Sequence, residues 1–123
     1  MILGSGIDII EISRLKKAVK KFGASFMRRV FTDEEIEYAQ KHRFPFQHFA
    51  ARFAAKEAVL KAFGDNRKIN WKDIRIVNDQ HGRPHCIFKD KKFHNEIIIS
   101  LAHTDKYAVA SAIITQKKIR LQK

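Results

Sequence analysis

Arg52-Phe53-Ala54-Ala55-Lys56-Glu57-Ala58-Val59-Leu60-Lys61-Ala62-Phe63-Gly64 is the stretch on which the fold turns. It continues a pattern that begins after Pro45, in which Phe46, Phe49, Phe53, Leu60 and Phe63 recur at helical spacing, and Gly64 supplies the stop. Ala50, Ala51, Ala54, Ala55 and Ala58 are too small to hold a neighbour away, so this helix admits the close approach of a sheet. Upstream, Thr32 followed by Asp33, Glu34 and Glu35 has the form of a capping box, opening a helix that runs to about His42. Further upstream, Ser13 is a candidate cap for a helix with Leu15, Ala18, Val19 and Phe22 as its stripe and Gly23 as its end. Leu3 to Ile12 reads as an Ile-rich strand interrupted by Gly4 and Gly6. Downstream the pattern is strand-like: Trp71 to Val77, a turn over Asp79 to Pro84, a strand to about Lys89, then Ile97 to His103 and Tyr107 to Ile114 as a hairpin. A leading strand, helices in the first half and antiparallel strands in the second predict an α+β domain, with the N-terminal strand and helices packed on a mainly antiparallel sheet.

The 123 residues fit one domain, placed at 1–116 with a basic extension at 117–123, and 45% apolar residues, ten of them Phe, supply a core. A single cysteine, Cys86, excludes an internal disulfide framework and reads as a small buried hydrophobe. No apolar run approaches the ~20 residues that span a bilayer, and the N-terminus lacks the pattern of a signal peptide, so a cytoplasmic location is expected. With 25 Lys and Arg against 13 Asp and Glu, the net charge of +12 calls for an anionic partner. Seven basic residues and no acidic one lie between Ser13 and Val30.

Asp8 is anomalous, because aspartate is disfavoured in strands and this one stands in Gly6-Ile7-Asp8-Ile9-Ile10. Alternation puts it on one face with Gly4 and Gly6, whose missing side chains would leave room for a ligand or cation; a structural aspartate paired with a lysine fits the pattern equally well. Glu57 is the second anomaly, projecting from the apolar stripe, with Lys61 one turn on; taken alone it reads as half of an i,i+4 surface pair. Taken together, the two carboxylates and the lysine form a set able to hold Mg²⁺ against phosphate, since magnesium commonly takes one or two protein carboxylates plus phosphate oxygens. Lys61 would then clamp a transferred or leaving phosphate. Among the six histidines His103, at a strand end before a turn, is the best placed to meet a ligand; His42, His48, His81, His85 and His94 read as ordinary surface or core-edge residues.

The run Gly6 to Ile12 and the run Arg52 to Gly64 resemble the signatures of the holo-acyl-carrier-protein synthases, the short bacterial-type 4′-phosphopantetheinyl transferases. Trp71 with Asp73 and Ile74, the Asp79…Gly82-Arg83-Pro84 turn, and Ser100-Leu101-Ala102-His103-Thr104 before Tyr107-Ala108 match in the same order, over nearly the whole chain. The resemblance implies transfer of the 4′-phosphopantetheine arm of coenzyme A to a serine of acyl carrier protein, with Mg²⁺ required and adenosine 3′,5′-bisphosphate released. It places Asp8 and Glu57 on the metal, Lys61 at the phosphate, and Glu57, directly or through a metal-bound water, as base. Arg52, Lys61, Gly64, Arg83, Pro84, His103 and Thr104 would form the coenzyme pocket. Arg14, Lys17, Lys21 and Arg28 would face the acidic carrier protein. It further implies a homotrimer with active sites across subunit boundaries. Two positions depart from the pattern: Ala102 stands where a hydroxyl residue is usual, and Ala51 where glycine commonly precedes the arginine.

Two other classes compete. A basic nucleic-acid-binding module would use the Arg14–Arg29 run, but the chain carries no recognised binding motif and no aromatic platform within that run. A structural interaction domain would leave its carboxylates merely paired with lysines. Neither nucleic acid nor membrane is the expected partner.

Overall fold

The computed structural model describes residues 1–64 and 68–117. In chain order these form β1 (Ile2–Glu11), α1 (Ile12–Val30), α2 (Asp33–Gln40), α3 (Pro45–Phe63), a single 3₁₀ turn (Trp71–Asp73), β2 (Ile74–Asn78), β3 (Pro84–Phe88), β4 (Glu96–His103) and β5 (Tyr107–Thr115). The basic extension expected at 117–123 lies, beyond Lys117, outside the described residues.

The strands make two antiparallel sheets, one ordered β1-β5-β4 and one pairing β2 with β3. The chain is therefore α+β as expected, with α3 as its organising element. Ala54, Ala55, Ala58 and Ala62 of α3 pack against Ile99, Ala110, Ala112 and Ile114 of the larger sheet and against Ile74 and Ile76 of β2. Small residues meet small residues, so the helix backbone settles onto the sheet.

Gly4 and Gly6 show how close that approach is. A Cβ built on Gly6 would lie 2.0 Å from the carbonyl oxygen of Ala58, and one on Gly4 would lie 2.1 Å from that of Ala62. The space expected for a ligand is filled by the α3 backbone. The glycines are needed for packing, and the sequence expectation of an open ligand space beside them is corrected.

A second core joins Ile12 and Leu15 of α1 to Phe31, Ala39, Phe49, Ala50 and Ala108. Here α1 differs from expectation twice. It begins at Ile12, whose N–H donates to the Lys106 carbonyl at 2.8 Å, so Ser13 lies inside the helix and its hydroxyl donates to Glu11. Gly23 does break the helix, at φ +63°, but helix resumes at once and runs to Val30. Only glycine reaches that backbone without strain, and it redirects the basic run partway along. Phe22, expected on the buried stripe, is instead exposed.

The capping box at Thr32 is present: the Glu35 N–H donates to Thr32 Oγ1 at 3.2 Å and the Thr32 N–H donates to Glu35 Oε1 at 2.8 Å. The helix stops at Gln40, short of His42, and Trp71 to Asp73 form a 3₁₀ turn where strand was expected.

Candidate active site

The site is built where β1 crosses α3. Asp8 pairs with Ala110 in register, two residues beyond the Gly6 contact with Ala58, so its carboxylate emerges beside α3. Lys61 reaches across to it, donating to Asp8 Oδ1 at 3.0 Å and to the Ile7 carbonyl at 3.0 Å. The lysine partner allowed for Asp8 is thus Lys61. The other carboxylate oxygen, Oδ2, is buried and has no hydrogen-bond partner. An unpaired buried carboxylate oxygen is costly to keep, which makes it a place for a cation.

Glu57 lies one turn before Lys61 on α3. The i,i+4 pair between them does not form, because Lys61 is committed to Asp8, and Glu57 Oε1 accepts instead from the indole N–H of Trp71 at 2.6 Å. Among the described residues no set of three or more His, Cys, Asp or Glu side chains is arranged to cage a metal. A cation held by Asp8 and Glu57 would have to complete its shell with water and substrate oxygens, which suits magnesium.

A second cluster occupies the other side of α3. Arg52, only 3% exposed, lays its guanidinium over the Tyr38 ring at 3.9 Å and donates to Asn78 Oδ1 at 3.1 Å, while its Nε has no partner. Burial holds this guanidinium below its ordinary value, against the opposing pull of Tyr38 and Glu35. Beside it the rings of His42 and His48 stack at 3.8 Å, and His48 meets His103 at 5.7 Å. Burial first, then electrostatic repulsion from His42, Arg52 and His103, lower His48 to about 4. His42 and His48, read from sequence as ordinary, are therefore members of an array that ends on His103. Their separation of six residues hid this, because His42 lies just past the end of α2 and His48 in the first turn of α3, with the chain turning between them.

The remaining residues expected in the coenzyme pocket sit at turns and element ends. Arg83 and Pro84 follow the β2–β3 turn, where Asp79 Oδ1 accepts from the N–H groups of His81 and Arg83. Thr104 Oγ1 accepts from the N–H groups of Lys106 and Tyr107 in the β4–β5 turn. Gly64 caps α3. Arg14, Lys17 and Lys21 are exposed on the first segment of α1, and Arg28 is exposed on the second. Arg14 also borders an apolar groove of about 340 Å³ lined by Ile9, Leu15, Ala18, Phe26 and Phe53. Cys86 takes no part: burial pushes its thiol up to about 12.

One buried group escaped the sequence reading. Lys56 Nζ donates to Glu35 Oε1 at 2.6 Å, to the Val30 carbonyl at 2.7 Å and to the Trp71 carbonyl at 3.1 Å, while Glu35 Oε2 accepts from the Ile76 N–H. This fully buried pair ties α1, α2, α3 and β2 together behind the site. The only available sequence signal was Lys56 itself, a cation among alanines.

The family model of the 4′-phosphopantetheinyl transferase superfamily matches residues 4–112. A holo-[acyl-carrier-protein] synthase of Thermodesulfovibrio yellowstonii is 44% identical over 115 residues, covering 94% of this chain and all of that protein. The holo-(acyl-carrier-protein) synthase of Bacillus anthracis, solved in complex with coenzyme A (3′,5′-ADP), superimposes with a TM-score of 0.80 at 35% identity, covering 93% of this chain and 96% of that one. The corresponding enzyme of Neisseria meningitidis reaches 0.84 at 28% identity, covering 94% and 99%. By that match over residues 4–112 and by its identity to a relative covered over its whole length, the chain belongs to the holo-[acyl-carrier-protein] synthases of the 4′-phosphopantetheinyl transferase superfamily.

Proposed function

We infer that this chain transfers the 4′-phosphopantetheine group of coenzyme A to a serine hydroxyl of acyl carrier protein, converting apo to holo carrier in support of fatty acid biosynthesis. The bond broken is the pyrophosphate P–O bond, and adenosine 3′,5′-bisphosphate leaves. The observation that carries the site assignment is Asp8, whose Oδ1 is paired with Lys61 and whose buried Oδ2 has no partner. Asp8 and Glu57 would hold Mg²⁺, which when bound neutralises charge on the pyrophosphate. Lys61 stands beside Asp8 to neutralise or protonate the leaving bisphosphate. Glu57 accepts the serine proton, directly or through one water.

Arg52, His103, Thr104, Arg83, Pro84 and Gly64 bind the rest of coenzyme A, with Arg52 and His103 on its anionic adenosine end. Arg52 and Lys61 are nine residues apart in α3, about two and a half turns, so they project from opposite sides of the helix. This favours a site that draws them from two copies of the chain. The outer face of the larger sheet supports the same reading: Leu3, Ile7, Ile9 and Ile98 stand exposed there, Ile7 at 65%. A homotrimer would cover this face and join Lys61 of one copy to Arg52 and His103 of the next. Arg14, Lys17, Lys21 and Arg28 dock the acidic carrier. The transferase domain occupies 1–116. Among the described residues no helix is long and apolar enough to cross a membrane, and we place the enzyme in the cytoplasm.

The test is direct. Incubation with coenzyme A, Mg²⁺ and an apo carrier adds one phosphopantetheinyl mass to the carrier and releases one bisphosphate. No mass change with the cognate carrier would overturn the assignment. Glu57→Gln should abolish transfer with the fold intact; an active variant would remove Glu57 from the site.

A further inference from the structure

We propose that Trp71 is a positioning residue for the reaction, its indole N–H fixing the carboxylate of Glu57; the inference rests on the placement of Glu57 in the active site above. Two consecutive residues of α3 grip the two polar ends of this one tryptophan. Lys56 Nζ donates to the Trp71 carbonyl at 3.1 Å, and Glu57 Oε1 accepts from the Trp71 indole N–H at 2.6 Å. The ring between those ends packs on Phe53, one turn back along α3, at 5.8 Å.

Trp71 is itself held. It opens the 3₁₀ turn, in which the Asn70 N–H donates to Asp73 Oδ2 at 2.9 Å and the Asp73 N–H to the Asn70 carbonyl at 3.0 Å. The Asp73 carbonyl accepts from the Lys89 N–H, which binds the turn to the end of β3. Lys56 is pinned in turn by Glu35, in the buried pair. A chain of fixed groups thus runs from the core to one oxygen of Glu57.

Glutamate has three side-chain torsions, and Glu57 would otherwise sweep the helix surface or fall to Lys61. Lys61 is occupied by Asp8, and the indole N–H, half-buried, needs an acceptor. The bond to Oε1 satisfies that donor and leaves Oε2 for the chemistry. An outer hydrogen bond of this kind is typically worth 10- to 100-fold in activity when removed.

The chain contains one tryptophan, so a ¹H–¹⁵N spectrum of the free protein has one indole cross-peak. In Glu57→Gln that peak should move upfield and its proton exchange faster, because a charged acceptor becomes neutral. An unmoved peak would overturn the hydrogen bond, whatever the variants do in turnover. Trp71→Phe keeps the ring on Phe53 and removes only the donor. It should lower kcat roughly 10- to 100-fold with KM for coenzyme A within about twofold. Trp71→His, which restores a ring N–H, should recover part of the loss. A Trp71→Phe enzyme with wild-type kcat beside an inactive Glu57→Gln enzyme would overturn the proposal alone. A fully active Glu57→Gln enzyme would remove Glu57 from the reaction, and the proposal with it.

Discussion

Replacing Lys56 by methionine removes one ammonium group from the interior and changes little else, since the two side chains are of similar length. That group makes three hydrogen bonds, at 2.6, 2.7 and 3.1 Å, to Glu35, the Val30 carbonyl and the Trp71 carbonyl. Glu35 would keep its bonds from the N–H groups of Thr32 and Ile76 but would hold its charge with no buried cation beside it. Breaking a buried pair from one side costs about 3–5 kcal/mol, and the two stranded carbonyls belong within that total. Against a stability of about 5–15 kcal/mol this is a large share, corresponding to a fall in Tm of roughly 4 °C per kcal/mol. Urea unfolding followed by the fluorescence of Trp71, with helical circular dichroism as a second probe, measures it. Adding Glu35→Gln to Lys56→Met should recover about 2 kcal/mol relative to the sum of the single losses, because the two groups share one interaction. A loss below about 1 kcal/mol for Lys56→Met, or strict additivity in the double variant, would refute this account of the pair.

Three further expectations come from other parts of the structure. Gly6→Ala places a methyl group against the backbone oxygen of Ala58, which cannot step aside, and should cost about 3 kcal/mol by chemical denaturation. His48 is held at about 4, below its ordinary 6.5, so the unfolded chain takes up the proton first as pH falls. Its contribution is complete above about pH 6.5 and lost towards pH 4; after discounting for solvent screening, about 1 kcal/mol disappears across that window, and His48→Phe should flatten that part of the stability–pH curve. Arg14→Glu with Lys21→Glu should raise KM for the carrier more than KM for coenzyme A, and equal effects on both would mean that the first segment of α1 is not the dock.

How much could be read in advance depends on the range of the interactions involved. The α3 helix, the Thr32 capping box and the β4–β5 hairpin were legible because local spacing determines them. The break at Gly23 was legible too, but not the helix beyond it, since a glycine interrupts a periodic pattern whether the chain then turns away or resumes its helix. Gly4 and Gly6 stood out as gaps in the row of side chains along β1, but the group that fills the gaps is the backbone of α3, which sequence alone could not name. Asp8 and Glu57 stood out as charges in apolar settings, and Lys61 by its place one turn from Glu57. The pairing among them did not, because Lys61 has two carboxylates within reach and the choice is made by the tertiary crossing. The Glu35–Lys56 pair and the histidine array were invisible for the same reason: each joins side chains from separate elements.

The outer face of the β1-β5-β4 sheet has one more consequence. Leu3, Ile7 and Ile9 are presented by β1, which is also an edge strand, so a lone copy displays both oil and unpaired backbone to its surroundings. Every copy carries +12, so like copies repel one another at long range, which opposes indiscriminate edge-to-edge contact through this face. The same charge attracts an acidic carrier. Added salt screens both effects and so drives them in opposite directions, hastening encounters between like copies while slowing capture of the carrier.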